Sequence, residues 1–169
     1  MNKPNTEPWH VLRVRPLFER VVESRLGKLG ITALVPVQKQ FRRSCDRTPK
    51  KEKILFSGYV FVHPEPAKRN EVFQAGSQVL SYLTIEGKPA QLREHEVSLI
   101  KALSRLDGPI EVIPQQLSPG NQVEITSGPL RGFCGMVVNL PGKQRVTVYI
   151  HGLQCLAQVE LRLNEVRRV

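Results

Sequence analysis

The side chains in this sequence that could do chemistry are chiefly arginines and aromatic rings. Arg13 and Arg15 alternate along one side of a short strand pattern, and Arg20 follows one helical turn beyond them. Guanidinium groups arranged in this way suit phosphate oxygens, which they bind with a salt-dependent affinity that tolerates any base sequence. The alternative for Arg13 and Arg15 is a charged surface that only faces solvent.

The aromatic candidates lie in residues 56–62, which read Phe-Ser-Gly-Tyr-Val-Phe-Val and form part of the strongest strand pattern in the chain. Because side chains on a strand alternate between two faces, Tyr59 and Phe61 share a face, and Phe56 joins them only if Gly58 carries a bulge. Aromatic anchors at the centre of an interface each contribute about 2 kcal/mol or more to binding. The alternative, above all for Phe61, is that the ring fills the core.

No catalytic or metal-binding set is recognisable in the sequence. It has no Ser/His/Asp or Cys/His motif, no phosphate-binding glycine loop and no paired carboxylates in a glycine-rich site. The four histidines and three cysteines lack metal-ligand spacing, and an odd cysteine count without a CxxC pair is typical of a reducing cytoplasm. We therefore expect no enzyme activity, no cofactor and no metal. No apolar run approaches the roughly 18 residues that span a bilayer, so we expect no membrane contact.

Positive charge is concentrated in the first part of the chain. The 169 residues contain 25 Lys and Arg against 15 Asp and Glu, a net charge of +10. Residues 1–106 hold 19 of these basic residues and 10 of the acidic ones, whereas residues 107–169 hold 6 and 5. A polyanionic partner is therefore expected to bind the first part. Residues 39–53 alone carry seven Lys and Arg and are predicted to form a hairpin arm or a loop, either solvated or touching nucleic acid.

The elements that would position these side chains differ between the two parts. Residues 1–7 are predicted to be a disordered tail, and residues 8–106 mix strand and helix patterns, which predicts an α+β sandwich with a central sheet. The predicted strands are 9–14, 31–37, 54–62 and 79–85, and the predicted helices are 17–29, 67–75 and 94–106. Residues 107–117 are rich in proline and are predicted to be an extended linker.

Residues 118–169 consist of short strand patterns at regular intervals, which is typical of a small β-barrel. Between its first two strand patterns lie Gly128, Gly132 and Gly135. Three glycines in eight residues suit a place where a strand bends sharply or another backbone approaches closely.

These features together resemble the NusG-type transcription factors. The strand Trp9-His10-Val11-Leu12, the amphipathic helix after it and the segment 56–62 resemble the N-terminal domain of that family, and the glycine corner resembles its KOW motif. The resemblance covers about residues 8–169. It implies a NusG-type N-terminal (NGN) α/β sandwich with a central antiparallel sheet, followed by an SH3-like five-stranded KOW β-barrel. The sequence departs from the family pattern at Ser57, where proline is common, and at His10, where an aromatic is common.

The resemblance also implies a function. It implies a transcription elongation or antitermination factor that reduces pausing or termination, and the basic segment and the Gly-Tyr-Val-Phe-Val strand look more like the specialised, operon-specific members. Phe56, Tyr59 and Phe61 fall on the motif that docks on the clamp helices of RNA polymerase. Arg13, Arg15 and Arg20 would then face the non-template DNA.

For the KOW domain, the resemblance implies a surface that recruits a second partner, such as a ribosomal small-subunit protein. The residues implied are Leu130, Phe133, Ile150 and Leu153. We expect a cytoplasmic monomer. The alternative is a ribosome-associated KOW RNA-binding protein, which predicts a basic barrel, and the near-neutral charge of residues 107–169 argues against it.

Overall fold

A computed structural model describes residues 7–40, 51–106, 108–113, 121–140, 143–161 and 165–169. The chain divides into two compact units. One comprises Met1–Val35 and Phe56–Val97, and the other comprises Pro36–Leu55 and Ser98–Val169. The domain boundaries predicted from the sequence stay a prediction. Of the predicted tail and linker, residues 1–6, 107 and 114–117 lie outside the described residues.

The described residues form two α-helices and fifteen short strands, so the predicted α+β class is confirmed. In chain order these elements are β1 (Trp9–Val14), α1 (Glu19–Lys28), β2 (Thr32–Leu34), β3 (Val37–Gln40), β4 (Lys51–Ile54), β5 (Tyr59–His63), β6 (Val79–Tyr82), β7 (Thr84–Ile85), β8 (Lys88–Pro89), β9 (Gln91–Leu92), α2 (Glu94–Leu103), β10 (Ile110–Ile113), β11 (Asn121–Ile125), β12 (Cys134–Leu140), β13 (Lys143–Ile150), β14 (Cys155–Glu160) and β15 (Val166–Arg168).

The first unit is built around an antiparallel sheet in the order β2-β5-β1-β6, and β9 also pairs with β1. Strand β1 is buried on both faces, because Val11 and Leu12 are adjacent, point to opposite faces and are both fully buried. Strand β5 has a similar central position, with Val60, Phe61 and Val62 almost completely buried. A continuous apolar run is what a strand covered on both faces requires.

Several predicted elements differ from the structure. The strands predicted over 31–37 and 79–85 are divided, the first into β2 and the start of β3 and the second into β6 and β7. The strand predicted over 54–62 is interrupted, because residues 55–58 turn and β5 begins only at Tyr59. The helix predicted over 67–75 is replaced by two 3₁₀ segments, Pro66–Lys68 and Glu71–Ala75. Pro66 fixes the backbone at the first position and lacks an N–H, so it supports a short turn at the start of the segment.

The second unit contains a six-stranded antiparallel sheet in the order β10-β14-β13-β12-β11-β15. Strands β11 to β15 are the five strands of the predicted barrel. The sixth strand, β10, comes from the predicted linker and pairs with β14, with Ile110 opposite Val159 and Ile113 opposite Leu156. The β14 edge of the five strands is therefore covered by the segment that precedes them, which reduces the exposed sheet edge.

Strands β3 and β4 form the predicted hairpin arm, with Val37 opposite Ile54 and Gln40 opposite Lys51. Gln38 is buried, and its Nε2 donates to the carbonyl oxygens of Leu106 (2.8 Å) and Gly108 (2.6 Å). The base of the hairpin is thereby held to the segment that leads into β10. The basic tip, residues 41–50, lies outside the described residues.

The glycine corner joins β11 to β12. Gly128 and Gly132 have φ of 73° and 86°, in the left-handed region that favours glycine. Gly135 is needed for a different reason. A Cβ built on Gly135 would lie 2.7 Å from Val146 Cγ1 and 2.9 Å from the Thr147 carbonyl oxygen, so a side chain there would push against the backbone of β13.

We predict that Gly135→Ala lowers the free energy of unfolding by about 1–3 kcal/mol, because the added methyl overpacks against a strand that cannot move aside. Gly27→Ala is the matched control, since a Cβ on Gly27 in α1 meets nothing within 4 Å. We expect that control to stabilise the chain by about 0.5–1 kcal/mol through helix propensity. Urea unfolding measures both. Equal effects of the two variants would contradict the close approach.

His10 is a buried titratable side chain in β1. It is 4% exposed, its Nδ1 lies 3.1 Å from the Ala90 carbonyl oxygen, and its ring meets Tyr82 edge to face at 5.7 Å. Burial lowers the pKa of His10 below its usual 6.5, against the raising effect of the Ala90 hydrogen bond, and the charge of Arg69 lowers the pKa further.

We predict that His10 makes the fold less stable in acid. The unfolded chain binds a proton on this imidazole near pH 6.5, while the folded chain does so only at lower pH. Stability is therefore lost as the pH falls below 6.5 toward the folded pKa. Unfolding free energies measured between about pH 7 and pH 5 should depend less on pH in His10→Phe. Ser98→Ala, at an exposed position of α2, should keep the original dependence.

Candidate binding surfaces

Tyr59 and Arg13 lie side by side on one face of the first sheet. Their Cα atoms are register partners on β5 and β1, and directly opposite residues of antiparallel strands point to the same face. The next pair on that face, Val11 with Phe61, is 0% and 1% exposed. Tyr59 is half-buried and Arg13 is exposed, so the accessible end of this face combines an aromatic ring with a cation. We call these two residues the Tyr59 surface.

Phe56 and Phe61 are core residues. They are 3% and 1% exposed, and their rings meet edge to face with centroids 5.5 Å apart. Phe56 reaches Phe61 through a turn in which the Tyr59 N–H donates to the Phe56 carbonyl oxygen (3.2 Å) and Gly58 has a φ of 81°. The turn replaces the bulge that the sequence suggests. The expectation of direct partner contact is therefore corrected for these two rings, because almost none of their surface is accessible.

Glu19 holds this turn in place. Its side chain is fully buried at the start of α1, and its Oε1 accepts the backbone N–H of Gly58 at 2.6 Å. The Ser57 hydroxyl donates to the same oxygen at 3.4 Å. A carboxylate in the first turn of a helix also interacts favourably with the helix dipole. Ser57, which departs from the family pattern, thus gives Glu19 a second donor that proline cannot supply.

The three predicted DNA-binding arginines have different surroundings. Arg13 belongs to the Tyr59 surface. Arg20 is exposed and pairs with Glu23, with Nη1 and Oε2 2.8 Å apart. Arg15 is also exposed and lies past the end of β1, where its backbone N–H donates to the Gln78 carbonyl oxygen at 2.9 Å.

Arg25 is a cation that the sequence analysis missed. Its Nη1 donates to the Ala75 carbonyl oxygen and to Gln78 Oε1, both at 3.0 Å. Arg15 and Arg25 therefore both bond to Gln78. The backbone N–H of Arg15 meets its carbonyl oxygen, and the guanidinium of Arg25 meets its side chain. Gln78 is more than fifty residues away from Arg25 along the chain, so spacing within the sequence could not show that Arg15 and Arg25 share this partner.

The residues predicted to bind a partner in the second unit also divide by exposure. Leu130 and Ile150 are 0% exposed and belong to the core of that unit. The expectation that they contact a partner directly is therefore corrected, because neither side chain is accessible. Phe133 and Leu153 are half-buried and retain accessible surface. Tyr149 and His151 meet edge to face with centroids 4.6 Å apart, and His151 is exposed.

The described ranges contain neither a metal cluster nor a membrane-spanning helix. Among those residues, no group of three or more His, Cys, Asp or Glu side chains could hold a metal ion. Neither of the helices described is long and apolar enough to cross a membrane.

Comparison with known proteins connects this structure to one family. A sequence model of the family described as "Transcription termination factor nusG" matches residues 7–101. The transcription termination/antitermination protein NusG of Thermus thermophilus is 32% identical over 125 residues, which cover 68% of this chain and 67% of that protein. The protein of the same description from Pasteurella multocida is 28% identical, covering 95% of this chain and 94% of its own length.

A solved structure has the same fold. It is described as "Domain interaction in Thermotoga maritima NusG", and it matches with a TM-score of 0.60 at 23% sequence identity. The match covers 96% of this chain and 97% of that chain.

We predict that Glu19→Ala lowers the free energy of unfolding by about 1–3 kcal/mol, because it leaves the Gly58 N–H without its acceptor. Glu19→Gln keeps an acceptor oxygen and should lose less. Ser24→Ala, at an exposed position of α1, should change stability by no more than about 0.5 kcal/mol. Urea unfolding would contradict the role of Glu19 if Glu19→Ala behaved like Ser24→Ala.

Proposed function

This chain belongs to the NusG family of transcription termination and antitermination factors, and from that premise we propose that it binds RNA polymerase through the Tyr59 surface. The proposed partner is the pair of clamp helices of the largest polymerase subunit, which the resemblance of residues 56–62 to the family's docking motif implies. The observation that carries this proposal is the half-buried Tyr59 beside the exposed Arg13, with Phe56 and Phe61 packed in the core.

The chemistry of the Tyr59 surface supports a protein partner. Tyrosine and arginine are enriched among the residues that dominate interface energies, because both combine a flat apolar surface with hydrogen-bonding groups. Tyr59 is at the first position of β5 and is fixed there by the Phe56–Tyr59 turn. A backbone fixed in this way loses little conformational freedom on binding, which favours affinity.

The proposed mechanism is differential binding to one state of the polymerase. A factor that grips the clamp helices and also contacts DNA would hold the clamp closed around the nucleic acid. Pausing and termination would then decrease, because the paused state needs a rearrangement that this bridge opposes. The shift in equilibrium cannot exceed the difference in affinity for the two states, so a tenfold effect requires a difference of about 1.4 kcal/mol.

The DNA contact is proposed for Arg13, Arg15 and Arg20, with the non-template strand of the transcription bubble as the ligand. The positive charge of residues 1–106 supports it, and so does the exposure of all three side chains. Arg20 forms an ion pair with Glu23, which partly neutralises its charge. We therefore expect Arg15 to contribute more than Arg20 to the affinity for DNA.

For the second unit, we propose recruitment of another protein through Phe133 and Leu153. A ribosomal small-subunit protein is the partner that the family resemblance implies. A chain that links two binding units raises the effective concentration of the second partner near the first. The proposed factor acts as a cytoplasmic monomer and works by binding, without catalysis.

We predict that Tyr59→Ala weakens binding to a clamp-helix fragment of RNA polymerase by about tenfold or more, as expected for loss of an aromatic anchor. Tyr59→Phe should keep most of the affinity. Leu80→Ala is the control, because Leu80 is 52% exposed on β6 and outside the Tyr59 surface. Isothermal titration calorimetry of the unchanged chain and the three variants gives the four affinities.

Two results would refute the polymerase proposal. The first is equal affinity of Tyr59→Ala and the unchanged chain for the clamp helices. The second is binding to ribosomal RNA in preference to the clamp helices, which would favour the ribosome-associated alternative.

A further inference from the structure

Three large apolar side chains are exposed together where β1 leads into α1. Leu17 is 89% exposed, and Phe18 and Val21 are each 41% exposed. Leu17 is also strained. The Phe18 N–H donates to the Arg15 carbonyl oxygen at 3.2 Å, closing a turn in which Leu17 has a φ of 73°. Glycine or asparagine usually occupies such a position, and strained conformations of other residues are concentrated at functional sites.

The exposed apolar side chains lie between two arginines. Phe18, Val21 and Arg25 are spaced three and four residues apart, which places them along one face of α1. Arg15 is at the other end, at the start of the turn that Phe18 closes. The helical rise places Arg25 about 10 Å along the axis from Phe18. Along the chain, an aromatic ring and a valine therefore lie between two exposed arginines.

The charge around this surface favours an anionic ligand. Arg15, Arg20 and Arg25 are all exposed and outnumber the two nearby carboxylates, although Nη1 of Arg25 also donates to Ala75 and Gln78. Glu19 is buried and accepts from Gly58, and Glu23 pairs with Arg20 and accepts the Val35 N–H at 2.8 Å. Positive charge beside an exposed aromatic ring is the combination by which proteins hold single-stranded nucleic acid, with phosphates on the cations and bases on the ring.

We propose that Phe18, with Val21 beside it, is a base-stacking platform for single-stranded nucleic acid, and that Arg15 and Arg25 hold the phosphates on either side. This inference rests on the proposed DNA contact and adds the residue that touches the bases. The rise of about 10 Å from Phe18 to Arg25 matches roughly three stacked nucleotides on that side of the ring. Duplex DNA does not fit the proposal, because its bases stack on each other and are closed to a side chain.

The test measures binding of the full chain to fluorescently labelled oligonucleotides of about 12 nucleotides by anisotropy at several salt concentrations. Phe18→Ala should weaken binding to a single strand about tenfold and leave the salt dependence unchanged, because stacking releases no counterions. Phe18→Tyr should bind within about twofold of the unchanged chain. Arg25→Gln should instead lower the salt slope by roughly 0.7.

Phe73→Ala is the matched control. Phe73 is 43% exposed, almost the same as Phe18, but its ring packs against Tyr82. We expect its removal to leave the affinity for the oligonucleotide unchanged. Thermal melting of each variant shows whether the fold is retained. Single strands of DNA and RNA with the same sequence identify which nucleic acid the platform prefers.

An abasic strand separates stacking from charge. The unchanged chain should bind it about tenfold more weakly than the normal strand, and Phe18→Ala should bind both equally. Equal binding of normal and abasic strands by the unchanged chain, or equal binding of duplex and single strand, would overturn the platform. So would a Phe18→Ala variant that loses clamp-helix binding and keeps DNA binding. None of these results depends on Tyr59, so the polymerase proposal is tested separately.

Discussion

The hydrogen bond from the Gly58 N–H to Glu19 fixes the geometry on which the first unit depends. It joins α1 to the turn at residues 56–59, and the Gly58 carbonyl oxygen accepts the Val14 N–H at 2.8 Å, which ties the same turn to the end of β1. The first residue of β5 is thereby set. Since a one-residue shift in a strand moves every side chain to the other face, this turn determines that Tyr59 lies beside Arg13 on the accessible surface.

Local sequence patterns predicted most of the elements, because these patterns depend on the burial of neighbouring residues. The alternation and apolar runs of β1, β5 and the strands of the second unit are of this kind, and so is the helical spacing of α1. The interruption of the strand predicted over 54–62 could not be found in this way. It results from a glycine at positive φ and a carboxylate 39 residues earlier in the chain, and only the folded structure brings the two together.

The candidate binding residues were predicted less well than the fold, for a physical reason. An aromatic ring that fills a core and one that anchors an interface have the same sequence signature, since both lie on apolar strands. Phe56 and Phe61 are buried against each other, whereas Phe18, which follows a proline turn and precedes a helix, is exposed. Arginine spacing was similarly ambiguous, because the arrangement of Arg15 and Arg25 depends on a distant turn at Gln78.

The two proposed surfaces of the first unit are connected through a short piece of backbone. Arg13 belongs to the Tyr59 surface, and the turn that presents Phe18 starts two residues later, at Arg15. Between them, the backbone N–H groups of Val14 and Arg15 are bonded to Gly58 and Gln78, so this segment is held on two sides. The Tyr59 surface and the Phe18 platform are therefore held in fixed positions close to each other along the backbone. Binding the polymerase would present the stacking platform to nearby nucleic acid at high effective concentration, and weak affinity for a single strand would then be sufficient for the contact.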